Sequence, residues 1–192
     1  MSNQKFVVRA ARKPLQQRMS RRCDGVTLIE LIVCVSMLAI LIGLAIPPFA
    51  NAMSAWRRDT AVSDLMADLQ LARSTAIRTS KAVVICVSAD GNNCVASNDW
   101  RQSRIVFSDL NGNDARDANE PMIVQHGPVV GLLRMQSENN TNRFVFRPNG
   151  MLSSGNTTVE IQSDGAAANE LVGVRINRTG RASLLALGTT MP

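Results

Sequence analysis

The sequence predicts an α+β chain in which one long N-terminal helix, membrane-spanning in its first half, packs its second half on a small antiparallel β-sheet head. Three observations carry this. An apolar run of 21 residues, Val26 to Ile46, holds a single charge, Glu30. Apolar positions then recur at three- and four-residue steps as far as about residue 79. From Lys81 the pattern changes to short β-type runs separated by segments rich in Asn, Gly, Ser and Pro. Four segments result: a cytoplasmic leader (1–25), a membrane or assembly helix (26–46), its amphipathic continuation (47–80) and a β-rich head (81–192).

The leader holds Lys5, Arg9, Arg12, Lys13, Arg18, Arg21 and Arg22 against one acid, Asp24, which accounts for the whole formal charge of +6. From Val26 onward there are fourteen basic and fourteen acidic residues. The high pI is therefore a local property, and the charge balance gives no support to bulk electrostatic capture of nucleic acid. A basic cluster beside an apolar span is the pattern of a cytoplasmic flank. Met19 offers a second start, with the shorter leader Met-Ser-Arg-Arg-Cys-Asp-Gly.

At 1.5 Å per residue the run Val26–Ile46 covers roughly 31 Å, enough to cross a hydrocarbon core. A secretory signal peptide has a shorter apolar core followed by a small-residue cleavage site. Here the small residue, Gly25, precedes the run, so cleavage there works from the cytoplasmic side and leaves the helix attached. Glu30, early in this helix, is costly unless paired. A positive N-terminal amine, its own or that of a neighbouring copy, is one partner; a position near the lipid headgroups is the equal alternative.

Beyond Pro47-Pro48, which predict a kink or local melting, Trp56, Val62, Leu65, Met66, Leu69, Ala72, Ala76 and Ile77 form the stripe that packs on the head. Arg57, Arg58, Asp59, Asp64, Asp68 and Arg73 fall on the complementary face. Strands are expected at 82–87, 104–108, 122–125, 132–135, 143–147, 158–162, 171–176 and 181–187. Cys86 and Cys94 flank the turn Asp90-Gly91-Asn92-Asn93. In an oxidising compartment a disulfide between them is favoured over two free thiols or half of a metal site, since only one histidine, His126, exists to complete such a site. The closed loop is short, so the bond would mainly fix a hairpin tip. Trp56 and Trp100 read as packing anchors.

Gly25-Val26-Thr27-Leu28-Ile29-Glu30-Leu31 resembles the type III signal of type IV pilins and type II secretion pseudopilins. The resemblance implies cutting after Gly25 by a prepilin peptidase, methylation of the Val26 amine, and a helix-kinking role for Pro47. Cys86…Asp90-Gly91…Cys94…Trp100…Ile105-Val106-Phe107…Asp109-Leu110-Asn111-Gly112-Asn113…Asp117…Glu120, then Phe144…Phe146-Arg147-Pro148-Asn149-Gly150 and Thr179-Gly180-Arg181, are similar to the GspH/FimT family of minor pilins and pseudopilins. That likeness implies a type IV pilin-like fold. It also implies an inner-membrane, single-pass subunit whose head lies in the periplasm, with other pilins or pseudopilins as partners. Ser103 and Asp114 stand where relatives tend to carry glycine.

Two sites invite functional readings. In Asp109–Glu120, oxygen side chains at loop positions 1, 3, 5, 9 and 12 (Asp109, Asn111, Asn113, Asp117, Glu120) have the spacing of an EF-hand calcium loop. Position 6 is Asp114 rather than glycine, and strands flank the loop, so a polar hairpin bonding its own backbone is favoured and no cofactor is expected. Members similar to FimT bind DNA through a C-terminal Gly-Arg-x-Arg motif. Gly180-Arg181-Ala182-Ser183 keeps one arginine of it, with Arg175 and Arg178 nearby as further phosphate contacts. No aromatic row suited to stacking bases accompanies them. No Ser/His/Asp or Cys/His set is apparent, and His126, beside Gly127-Pro128, reads as a surface or turn histidine. The expectation is a structural subunit, not an enzyme.

Overall fold

The computed structural model describes residues 25–165 and 171–186, with side chains left out at 44–49 and 186. The leader expected at 1–25 lies outside the described residues up to position 24, as does the end of the last expected strand. Helix α1 runs from Leu28 to Thr79. It is followed by β1 (Ala82–Ser88), β2 (Ser103–Asp109), β3 (Met122–His126), β4 (Leu132–Ser137), β5 (Arg143–Phe146), β6 (Thr157–Ser163), β7 (Val172–Ile176) and β8 (Ala182–Ala186). This is the expected α+β order, and all eight strands fall where the sequence places them.

Two compact units divide between Leu44 and Ala45. In the first, the described residues from Leu28 to Gly43 are helical, and Leu28, Ile29, Leu31, Ile32, Val35, Met37, Leu38, Ile40, Leu41 and Ile42 are all at least half exposed. The predicted span extends to Ile46, and the side chains at 44–46 lie outside the description. Among the described residues no helix is long and apolar enough to cross a membrane. The helical assignment passes through Pro47 and Pro48 without a break, so local melting is not seen there. The two prolines nonetheless remove the backbone donors to the carbonyls of Gly43 and Leu44.

In the second unit the head forms two four-stranded antiparallel sheets, ordered β3-β2-β1-β5 and β4-β6-β7-β8. Both pack on one stripe of α1. Val62, Leu65, Leu69, Ala72 and Ala76 meet Val83, Ile85, Val87, Phe144 and Phe146 of the first sheet and Val159, Ile161, Val174 and Ile176 of the second. Alternation along each strand produces this directly, since successive side chains point to opposite faces. Trp100 is fully buried in the same core, its ring stacked on Phe144 at 4.8 Å, with the indole N–H donating to the Thr141 carbonyl at 3.0 Å.

β1 and β2 are buried on both faces. Val84, Cys86, Ile105, Phe107 and Val145 form a second, smaller core with Cys94 and Met122. The Cys86–Cys94 disulfide holds the turn after β1 at this face. The loop 110–120 joins that turn through the Arg116 guanidinium, which donates to the Asn92 carbonyl at 3.3 Å.

Four expectations need correction. Trp56 is 64% and Ile77 51% exposed rather than packed. The buried line runs Ser54, Ala61, Leu65, Asp68, Ala72, and Trp56 falls with Thr60 and Ser63 on the outer face. Asp68, expected among the exposed charges, is buried because it lies three residues after Leu65 and four before Ala72. His126 is not an isolated turn residue: it ends β3 with Nε2 2.9 Å from Asp68 Oδ1.

Candidate functional site

The N-terminal segment is organised by Thr27. Its carbonyl accepts from the Leu31 N–H at 3.1 Å, and its hydroxyl oxygen accepts from the Glu30 N–H at 3.3 Å. This is an N-cap, and Thr27-Leu28-Ile29-Glu30 has the Thr-x-x-Glu spacing of a capping box, a sequence signal that the apolar run around it masks. Glu30 is exposed in the first turn of α1. There the unsatisfied N–H groups and the helix dipole favour a carboxylate by about 0.3–1 kcal/mol. Gly25 and Val26, the expected processing pair, immediately precede the cap and are exposed.

The loop between β2 and β3 gathers all five predicted oxygen ligands and turns each of them onto amide donors. Asp109 Oδ1 and Oδ2 accept from the N–H groups of Gly112 and Asp114 at 2.7 and 3.0 Å. The side-chain oxygens of Asn111 and Asn113 accept from the N–H groups of Asn113 and Ala115. Asp117 Oδ2 accepts from the side-chain amides of Asn111 and Asn113 at 2.7 and 2.9 Å. Glu120 closes the loop, its two oxygens accepting from Leu110 and Asp117 at 2.7 and 3.0 Å. Asp109 and Glu120 are buried. Among the described residues no group of three or more His, Cys, Asp or Glu side chains is placed to hold a metal ion.

Two further carboxylates shape the head. Asp90 accepts from the N–H groups of Asn93 and Asn92 and from the Asn93 side-chain amide, all at 2.8 Å, and these bonds hold its carboxyl far below the usual range. Asp99 receives a two-pronged contact from Arg101, Nε to Oδ1 at 2.9 Å and Nη2 to Oδ2 at 2.8 Å, which lowers the carboxyl and raises the guanidinium. Arg101 also donates to the Leu133 carbonyl at 3.1 Å, tying this segment to β4.

The three arginines considered for DNA are all exposed. Arg175 lies directly opposite Ser183 on the outer face of the second sheet. Arg178 and Arg181 belong to the β7–β8 turn, where the Asn177 side-chain oxygen accepts from the Arg181 N–H at 2.9 Å. Arg181 lines a cleft of about 370 Å³ with Leu69, Gln70 and Arg73 of α1.

Residues 61–180 match the family described as type II transport protein GspH, and residues 20–46 match the prokaryotic N-terminal methylation motif. No curated protein sequence matches the chain. Among solved structures, the type IV minor pilin FimU of Pseudomonas aeruginosa aligns at 22% identity and a TM-score of 0.54, over 67% of this chain and 87% of that one. A second crystal form of FimU aligns at 23% identity and 0.52, over 66% and 91%. The minor pseudopilin EpsH from the type 2 secretion system of Vibrio cholerae aligns at 16% identity and 0.47, over 69% and 99%. At these identities the FimU structures show a shared fold.

Proposed function

The chain belongs to the type II transport protein GspH family and carries a prokaryotic N-terminal methylation motif, and we propose that it is a minor subunit of a type IV pilus or a type II secretion pseudopilus. In this reading a prepilin peptidase cuts between Gly25 and Val26 and the new amine is methylated. The run 26–46 holds the chain in the inner membrane with the head in the periplasm. The subunit then enters a tip or initiation complex by packing its helix among those of other pilins or pseudopilins.

The observation that carries this is the first part of α1, whose described apolar side chains are exposed all round the helix. A helix apolar on every side is stable only inside lipid or among other apolar helices. Glu30, in the capped first turn, is the group that pairs with the N-terminal amine of a neighbouring helix. Glu30→Ala is the test: cleavage and methylation proceed, and incorporation into the filament is lost. Normal incorporation of the variant overturns the pairing.

A second reading, DNA capture at a pilus tip, is favoured only by the exposed guanidinium groups of Arg175, Arg178 and Arg181. Gel shifts comparing the wild type with Arg178→Ala/Arg181→Ala test it. Salt-sensitive loss in the variant supports it, and equal or absent shifts remove it.

A further inference from the structure

β8 ends the second sheet, and among the described residues nothing pairs with its outer edge. The other three sheet ends are each modified. An isolated bridge between Asp99 and Gln136 covers β4, and one between Phe146 and Leu152 covers β5. The β2–β3 pairing is bulged, and β3 is tied at His126 to Asp68. Folded proteins normally blunt a free edge with charge, proline or a bulge. β8 reads Ala-Ser-Leu-Leu-Ala and has none of these.

Its two leucines are open on opposite faces. Leu184 pairs with Val174 and so belongs to the core side, yet it is 60% exposed; Leu185, opposite Gly173 on the outer side, is 39% exposed. Positive charge flanks the edge. Arg175 stands opposite Ser183 on the outer side. Arg181 and Arg73 line the cleft between β8 and α1, and no acid lines it among the described residues. The outer-face acid Glu160 is already paired with Arg134 at 3.0 Å.

We propose that the β8 edge accepts an extended, acidic segment of a partner protein as a fifth strand of this sheet. Main-chain hydrogen bonds to β8 supply the register. Alternate side chains of the added strand fall against Leu184 on one face and Leu185 on the other, with its carboxylates beside Arg175, Arg181 and Arg73. The exposed leucines favour a polypeptide over a nucleic acid, which gains little from aliphatic side chains at a strand edge.

Deuterium exchange of the amides in β8 tests this on the full-length chain in detergent. The probes are a short alternating Glu/Val peptide, its Lys/Val counterpart and a single-stranded oligonucleotide. The Glu/Val peptide is expected to slow exchange at 182–186 by at least about tenfold, and the Lys/Val peptide to leave it unchanged. Leu184→Ser/Leu185→Ser, which removes the apolar contacts without adding charge, should abolish the protection. Arg175→Glu/Arg181→Glu should transfer it to the Lys/Val peptide, an inversion that a merely unfolded variant cannot give. No protection by either peptide, or equal protection by both, overturns the proposal. So does protection by the oligonucleotide alone, or protection that grows with protein concentration without any probe, which would assign the edge to a second copy.

Discussion

Gly180 lies so close to Gly150 that a β-carbon on it would stand 2.2 Å from the Gly150 carbonyl oxygen. The same carbonyl accepts from Arg73 Nε on α1 at 3.1 Å, and the Leu152 N–H donates to the Arg178 carbonyl at 3.0 Å. Phe146-Arg147-Pro148-Asn149-Gly150 and Thr179-Gly180-Arg181 are thus two turns locked against each other and against the helix. Gly180 also has φ +75°, which L side chains rarely adopt. Gly180→Ala is expected to cost roughly 3 kcal/mol, a fall in Tm of about 10 °C. Gly155→Ala, where an added β-carbon meets nothing within 4 Å among the described residues, should change stability by less than about 0.5 kcal/mol. Thermal melts of the two variants side by side decide whether the contact matters.

Asp68 joins α1 to two strands of the first sheet. Its Oδ2 receives Arg104 Nη2 at 3.3 Å and its Oδ1 lies 2.9 Å from His126 Nε2. Arg104 is 1% exposed, and among the described residues its Nε and Nη1 have no hydrogen-bond partner. The pair is therefore an incompletely satisfied buried charge, costly to break and dispensable as a whole. Asp68→Ala should destabilise by about 3–5 kcal/mol, because it strands the guanidinium, whereas Asp68→Leu/Arg104→Met should fall much nearer the wild type. Denaturant unfolding of the single and double variants reads this directly. A double variant as unstable as the single one would show that the ions hold the helix on the sheet.

The strands and the helix were legible because their periods are uninterrupted: Val83, Ile85 and Val87 alternate, and Leu65, Leu69, Ala72 and Ala76 follow the helical step. The departures on α1 are departures of phase. Asp68 groups with the outward charges and Trp56 and Ile77 with the packed stripe by residue type, while the helical period counted from Leu65 and Ala72 puts each on the opposite side. The division of eight strands into two sheets was not legible, since it depends on long-range pairings such as β1 with β5 that leave no local mark. Glu30 was read through its cost in an apolar run, although its spacing from Thr27 already announced a capped first turn.

Calcium should have little purchase on the β2–β3 loop. To bind it, Asp109, Asp117 and Glu120 would have to release N–H and amide donors that now satisfy both oxygens of Asp109 and of Glu120. Millimolar calcium is expected to leave the Tm and the loop NMR shifts unchanged. Glu120→Ala, by contrast, orphans the N–H groups of Leu110 and Asp117 and should cost about 2 kcal/mol. A calcium-dependent rise in Tm that Glu120→Ala abolishes would reverse this reading and establish the loop as a metal site.

Asp99 gives the head a defined acid sensitivity. Its carboxyl is lowered chiefly by the side-chain hydrogen bonds from Arg101, with a backbone bond and the charge of the same residue adding to them against partial burial. A folded value below the unfolded one means that the contribution is complete above the unfolded value of about 4. It is lost as the pH falls through the folded value. Asp99→Asn should therefore be less stable than the wild type at neutral pH, and the gap should narrow steadily below about pH 4 as the wild-type carboxylate is protonated. Melting curves from neutral pH into the acid range measure the gap. Because Asp90 is unchanged in both proteins, its own depressed carboxyl cancels from the difference, and a gap that stayed constant would show that the Asp99–Arg101 contact contributes nothing through charge.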